Sequence, residues 1–313
     1  MRTEERPAPG TAQPGASGTV LDAIGDTPLV LVDGVWAKLE FLNPSGSVKA
    51  RLAKYVIERA EAEGLLHAGD TIVEASSGNT GNALSMVAAV KGYRMLVVMP
   101  TGVSRERAAI SRAFGAEVLE IGDFHVNDAL AKAAELGRRP GYFAPQQFES
   151  EWNVQENREW LGPEILAQLP PGSVPDALVS GVGTGGTLVG VGKAFREANP
   201  ACTLVALEPA ESPTIDRGEI GKHLLEGISD GFVPAIYDRH REMIDEVILI
   251  PSEDAVREMR RIARTHGMLV GPSSGAHLLA ARRIMTERPE LRTVVALFPD
   301  EGEKYLGEPE FYG

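Results

Sequence analysis

Cysteine is nearly absent. Cys202 stands alone among 313 residues, which excludes intrachain disulfides and any metal site built from several thiolates; no metal ion is expected. Its neighbours Thr203–Leu207 read as a buried strand, so a packed thiol is expected there rather than a nucleophile. Long apolar runs are missing too. Met95–Met99 and Val294–Phe298 are strand-length, far below the roughly 20 residues that span a bilayer. Positive charge is scarce, with Lys+Arg 31 against Asp+Glu 44 and a formal net charge of −13. A chain this acidic is repelled by nucleic acid and anionic lipid unless a basic patch intervenes. The densest basic stretch, Arg257–Arg264, is broken by a glutamate and apolar residues and reads as a solvated helix face. Met1–Ser17 has no apolar core segment, so no secretory signal is read there. A disordered tail over 1–17 and a cytoplasmic location are the expectations.

What is present describes a globular chain. Hydrophobic residues make up 43% and charged residues 24%, near the averages for soluble proteins, and the length suits two packed domains. From Thr19 onward, short apolar runs alternate with longer amphipathic stretches. Strands are read at Thr71–Ala75, Arg94–Met99, Glu117–Ile121, Asp176–Ser180, Thr203–Leu207, Met268–Val270 and Thr293–Phe298. Helices are read at Asn82–Lys91, Arg105–Phe114, Asn127–Leu136, Leu188–Arg196, Glu253–His266 and His277–Thr286. This alternation implies an α/β fold with mostly parallel sheets covered on both faces. Two such halves meet near Ser150–Trp160, which gives a smaller α/β domain over 40–150 and a larger one over 18–39 plus 151–313.

Ligands in such folds sit at the carboxyl ends of strands, where glycine-rich turns feed helix N-termini. Three turns qualify. The turn Gly181-Val182-Gly183-Thr184-Gly185-Gly186-Thr187 frees backbone N–H groups at a positive helix end and adds two hydroxyls, a design for phosphate. It also matches G-x-G-x-x-G, with Glu208 where a ribose-binding acid would sit, so a nicotinamide oxidoreductase is the rival reading. That reading leaves the other turns without a role and sets the motif behind a full strand–helix domain. The turn Ser76-Ser77-Gly78-Asn79-Thr80-Gly81 suits a carboxylate; helix capping alone explains one of its polar residues, not four. The turn Gly271-Pro272-Ser273-Ser274-Gly275 matches the G-x-S-x-G elbow of hydrolases. His277 is the only histidine downstream and precedes Asp300, so the acid-then-histidine order fails.

One lysine stands apart. In Asn43-Pro44-Ser45-Gly46-Ser47-Val48-Lys49, Ser47 is placed to cap a helix running through Glu63, with Val48, Leu52, Tyr55 and Val56 on its apolar face. Lys49 then lies in the first turn, where the macrodipole opposes a cation and favours a neutral, nucleophilic amine.

Together these residues resemble the cysteine synthase (O-acetylserine sulfhydrylase) and cystathionine β-synthase family of pyridoxal-phosphate enzymes, fold type II. The resemblance runs from Gly25-Asp26-Thr27-Pro28-Leu29 to Gly302-Glu303-Lys304-Tyr305-Leu306. It implies two three-layer α/β/α domains of the tryptophan synthase β type and pyridoxal 5'-phosphate as cofactor, held by Lys49 as a Schiff base. Gly183, Thr184, Gly185, Gly186 and Thr187 would bind its phosphate, Asn79 its ring hydroxyl and Ser273 its pyridine nitrogen. Ser76, Ser77, Asn79 and Thr80 would hold the substrate carboxylate with Gln147, and Gly227 lies in a segment resembling the family's active-site rim. The implied reaction is β-replacement on O-acetylserine or O-phosphoserine through an aminoacrylate, with Lys49 as the base and sulfide as the nucleophile. A serine at the pyridine nitrogen would favour elimination over transamination. Small-molecule substrates, a homodimer, and closure of the 40–150 domain over substrate follow from the same resemblance. The sequence departs from the cysteine synthase pattern at Ala50 (usually aspartate), at Glu149-Ser150-Glu151-Trp152-Asn153 and at Asn157 (often histidine). These departures leave the cofactor chemistry intact and open the way to another β-substituted alanine or to cystathionine β-synthase-like chemistry.

Overall fold

Runs of β-branched and aliphatic residues supply the strands: Leu29–Val32 (β1), Val35–Leu39 (β2), Thr71–Ala75 (β3), Arg94–Pro100 (β4), Glu117–Ile121 (β5), Tyr142–Phe143 (β6), Ala177–Gly181 (β7), Thr203–Pro209 (β8), Glu246–Ile250 (β9) and Val294–Phe298 (β10). The computed structural model describes residues 18–101, 105–122 and 126–312; the tail expected over 1–17 lies outside them. One sheet has the order β1-β2-β10-β7-β8-β9 and the other β5-β4-β3-β6. Every pairing is parallel except β1 with β2.

Between the strands lie Lys49–Ala62 (α1), Asn79–Lys91 (α2), Arg105–Ala113 (α3), Val126–Gly137 (α4), Glu151–Glu156 (α5), Gly162–Gln168 (α6), Gly186–Ala198 (α7), Thr214–Arg217 (α8), Ala235–His240 (α9), Ser252–His266 (α10) and Pro272–Glu287 (α11). A π-helical turn, Asn157–Leu161, joins α5 to α6. β10 shows how a five-residue apolar run serves two cores. Val294, Ala296 and Phe298 pack with Met259 of α10 and Ala280 of α11, whereas Val295 and Leu297 pack with Leu188, Val191 and Phe195 of α7. In the smaller sheet, Ile72 and Val97 face α1 and α2, while Val73, Ala75 and Val98 face Ala129 and Ala133 of α4. Period-2 alternation with both faces covered gives the fully apolar strands read from the sequence. Among the described residues no helix is long and apolar enough to cross a membrane.

Several elements differ from the sequence reading. The hairpin β1–β2 was not anticipated, although Asp33 (φ 49°) and Gly34 (φ 86°) form the Asp-Gly turn that two-residue hairpins favour. β6 and β9 are likewise additions. Met268–Val270 is not a strand: only Val270 makes a bridge, to Glu301, because the chain leaves the left-handed Gly267 cap of α10 and enters α11 at Pro272. Ser47 does not cap α1. Its hydroxyl has no partner, and the helix is entered through Val48 in helical geometry. The segment is fixed instead by Val48 N–H donating to Pro299 O (2.8 Å) and by the bridge Ser47–Asp300.

Candidate active site

The carboxyl ends of β3, β7 and β10 open onto one cavity of about 940 Å³, mouth included. Lys49, Asn79, Gly183, Thr184, Gly185, Thr187 and Ser273 line it, as do Ser76, Ser77, Thr80, Gln147 and Gly227. Gly186 does not; it lies behind the turn, packed on Asn153.

Lys49 opens α1 and is half-buried, and no hydrogen bond or ion pair engages its amine among the described residues. Burial lowers its pKa, against the pull of the Glu156, Asp230 and Asp300 charges. The amine is thus held towards its neutral, nucleophilic form.

The glycine-rich turn is shaped as a cradle. Gly185 is left-handed (φ +85°), and a Cβ on Gly183 would stand 2.3 Å from Gly227 O. The N–H groups of Gly183, Thr184, Gly185 and Thr187 find no acceptor among the described residues, while Gly186 N–H donates to Thr184 Oγ1 (3.2 Å). His277, which sequence reasoning left without a role, accepts from Gly181 N–H through Nε2. Its burial pushes its pKa down to about 4, so it stays a neutral acceptor that fixes the turn. Glu208, the acid that a dinucleotide reading would need, accepts instead from Ile215 and Asp216 N–H (2.8 and 3.1 Å) at the start of α8.

Across the cavity, the second turn is held by its own side chains. Ser76 Oγ accepts from Gly78 and Gly81 N–H (3.1 and 2.9 Å). Thr80 donates to Gln147 Oε1 (2.6 Å), and Gln147 Nε2 donates to Ala75 O (3.1 Å). Asn79 donates to Asp300 Oδ2 (2.9 Å) and accepts from Lys304 Nζ (3.0 Å). With these side chains engaged, the free N–H groups of Asn79 and Thr80 at the start of α2 and the unengaged hydroxyl of Ser77 are donors left for an anion. Ser273 stands in the first turn of α11, buried and facing the cavity.

Sequence reasoning also missed Arg107, Glu226, Asp230 and Asp300, all cavity-lining. Asp300 follows β10 directly, so the carboxyl-end rule could have found it. Arg107 pairs with Glu226 across the mouth and donates to Ser77 O (3.2 Å); nothing in its local sequence marks it.

The residues fit pyridoxal phosphate: four unpaired N–H groups at a helix start for the phosphate, a free lysine amine for the aldehyde, and a serine hydroxyl for the ring nitrogen. Comparison with known proteins agrees. Residues 20–300 match the family model described as pyridoxal-phosphate dependent enzyme. The chain is 44% identical over 299 residues to a Staphylococcus aureus cysteine synthase, covering 93% of this chain and 96% of that one. The crystal structure of an O-ureido-L-serine synthase matches with a TM-score of 0.88 at 40% identity, over 95% of this chain and 96% of that one. An O-acetylserine-dependent cystathionine β-synthase from Helicobacter pylori matches with a TM-score of 0.88 at 35% identity, covering 94% and 98%. On sequence, fold and site alike, the chain belongs to the pyridoxal-phosphate-dependent enzymes, in the group that contains the cysteine synthases.

Proposed function

We propose that the protein replaces the β-substituent of O-acetylserine, forming cysteine when sulfide is the nucleophile. The observation that carries this is the free, neutral-leaning amine of Lys49, set between a phosphate cradle and a carboxylate-binding turn in one cavity. The cofactor, when bound, supplies the electron sink for breaking the bond to the α-proton. The protein supplies everything else. The N–H groups of Gly183, Thr184, Gly185 and Thr187 hold the phosphate, and His277 keeps Gly181 in place. The N–H groups of Asn79 and Thr80 orient the substrate carboxylate, with Gln147 and Ser76 bracing that turn. Lys49, the amine that would hold the cofactor, would also be the base that takes the α-proton from the substrate. Ser273, a neutral hydroxyl lining the cavity, would face the ring nitrogen without the charge that a carboxylate would bring. The same reading places the protein in the cytoplasm as a homodimer.

The test is the visible spectrum of the purified protein, before and after O-acetylserine, together with Lys49→Ala. A yellow band that shifts with substrate, and a variant slowed at least about a thousandfold, are expected. A colourless protein that takes up no added pyridoxal phosphate sinks the proposal.

A further inference from the structure

Three carboxylates line the cavity, and two are committed. Glu226 takes Arg107, and Asp300 takes Asn79 and Tyr305 on Oδ2 (2.9 and 2.8 Å), while its buried Oδ1 has no partner. Asp230 has no hydrogen bond or ion pair among the described residues. Its loop is held rigidly: Ser229 sits in the left-handed region (φ 53°), its N–H donates to Val182 O (2.9 Å) and its hydroxyl to Ser212 O (2.7 Å). A strained, anchored residue beside an unpartnered acid marks a side chain presented on purpose.

The charged groups nearest Asp230 are Lys49 from α1, Arg107 from α3 and His223 from its own loop. His223 accepts from Leu225 N–H through Nδ1 and contacts Ser229 O through Nε2 (3.1 Å). Arg107 is spent on Glu226. Burial raises the Asp230 pKa, against the pull of these groups, which makes it a better proton acceptor than an exposed aspartate. A free carboxylate here gives no proton-transfer help to hydrosulfide, an anion with no proton that must be removed before it attacks. It serves a nucleophile that arrives neutral and must lose a proton.

Resting on the β-replacement reading, we propose that Asp230 is the general base of the second half-reaction, and that the cavity accepts neutral O–H nucleophiles, such as a hydroxyurea or water, besides sulfide. The nucleophile's oxygen lone pair forms the bond to the β-carbon of the eliminated substrate. Its O–H bond breaks, and the proton passes to Asp230 and then to solvent. The electron pair of the carbon–carbon double bond returns to the α-carbon, which takes a proton from the Lys49 ammonium. No oxidant or reductant is needed.

The experiment uses the cofactor-loaded protein, wild type, Asp230→Asn and Asp230→Glu, with O-acetylserine as first substrate. The first readout is spectroscopic: the band formed with O-acetylserine alone, and its decay as water attacks. The second is turnover with sulfide and with hydroxyurea across pH. In Asp230→Asn the band should form as in wild type and decay far more slowly. Hydroxyurea turnover should fall about a hundredfold or more and lose its rise with pH, sulfide turnover should fall about threefold at most, and Asp230→Glu should restore part of the loss. Equal losses with every nucleophile, or failure of the band to form in a folded Asp230→Asn, would show a structural role and overturn the proposal. So would a wild type that uses sulfide but neither hydroxyurea nor water. A wild type with no band shift at all would instead sink the β-replacement reading itself.

Discussion

Glu156 shows how a single residue can escape a sequence reading. It falls in a glutamate-rich stretch with Glu149, Glu151, Glu159 and Glu164, and nothing in its local sequence sets it apart from them. In the fold it is fully buried, and neither carboxyl oxygen has a partner. Burial pushes its pKa up to about 8, with Arg51 and Lys49 pulling the other way. In the unfolded chain it titrates near 4.5, so between those values the folded chain holds a proton that the unfolded chain has released. Stability therefore falls as pH rises through this window and levels off above it; Glu74, raised to about 7, acts in the same direction. Glu156→Gln mimics the protonated acid and removes its share of the slope, at most about 1.4 kcal/mol per pH unit. Urea unfolding at pH 5 and pH 9 is the check. The variant is expected to gain on wild type between pH 5 and pH 9, whatever constant cost the new amide adds. An identical difference at both pH values would mean that Glu156 is not protonated in the folded protein.

At the scale of elements, the three glycine-rich turns were legible because each breaks an apolar run with small residues that only a strand-to-helix junction requires. Lys49 was legible from its place in the first turn of a helix and from the family resemblance. What supports the turns was not, because it comes from distant elements: Asn153 of α5 donates to Thr184 Oγ1 (2.9 Å), and His277 of α11 braces Gly181. The hairpin β1–β2 was missed although its Asp-Gly turn was visible, and Ser47 was taken for a cap that tertiary bonds replace. Gly186 shows the difference between lining a site and positioning it. A Cβ there would stand 2.1 Å from Asn153 Oδ1, forcing α7 from α5 and disturbing Thr184. Gly192, two turns along α7, would instead strike Leu204 Cδ1 at 2.6 Å, away from the cavity. Both Gly→Ala variants should lose about 1–3 kcal/mol in urea unfolding. Only Gly186→Ala should bind pyridoxal phosphate about tenfold more weakly in a fluorescence titration of the apo-protein. Equal affinities in the two variants would show that Asn153 does not transmit the strain to the turn.

The whole molecule divides its site between two sheets. Lys49, the turn at Ser76–Thr80 and Gln147 belong with the smaller sheet, while Gly183–Thr187, Gly227 and Ser273 belong with the larger. Two sheets were legible in the alternation of apolar and amphipathic segments; which faces oppose one another was not, because those contacts join residues far apart in sequence. We propose that 40–150 moves as a unit against 18–39 plus 151–313 and closes on substrate. The ties across the cavity are few and polar: Arg107 to Glu226, Asn79 to Asp300, and Lys304 to Asn79 and to Ser45 O (3.0 Å). Polar contacts of this kind exchange readily with water, and most of each apolar cluster stays within one sheet's own layers, with Leu21, Ile24, Trp152 and Trp160 packed against the smaller sheet's core and Val48 against the larger sheet's, so hinge motion disturbs a limited part of the core. A substrate carboxylate held by the Asn79 and Thr80 N–H groups, while its amine reaches the cofactor on the other sheet, pulls the two units together. Adding O-acetylserine to the cofactor-loaded protein should therefore lower the radius of gyration in small-angle scattering and change the cofactor's fluorescence. Glu226→Gln, which frees Arg107 at the mouth, should make the substrate-free form more open and leave the closed form's radius nearly unchanged. A radius indifferent to substrate, with fluorescence equally indifferent, would mean that the cavity is a fixed cleft, and that 40–150 is a division of the chain rather than a moving part.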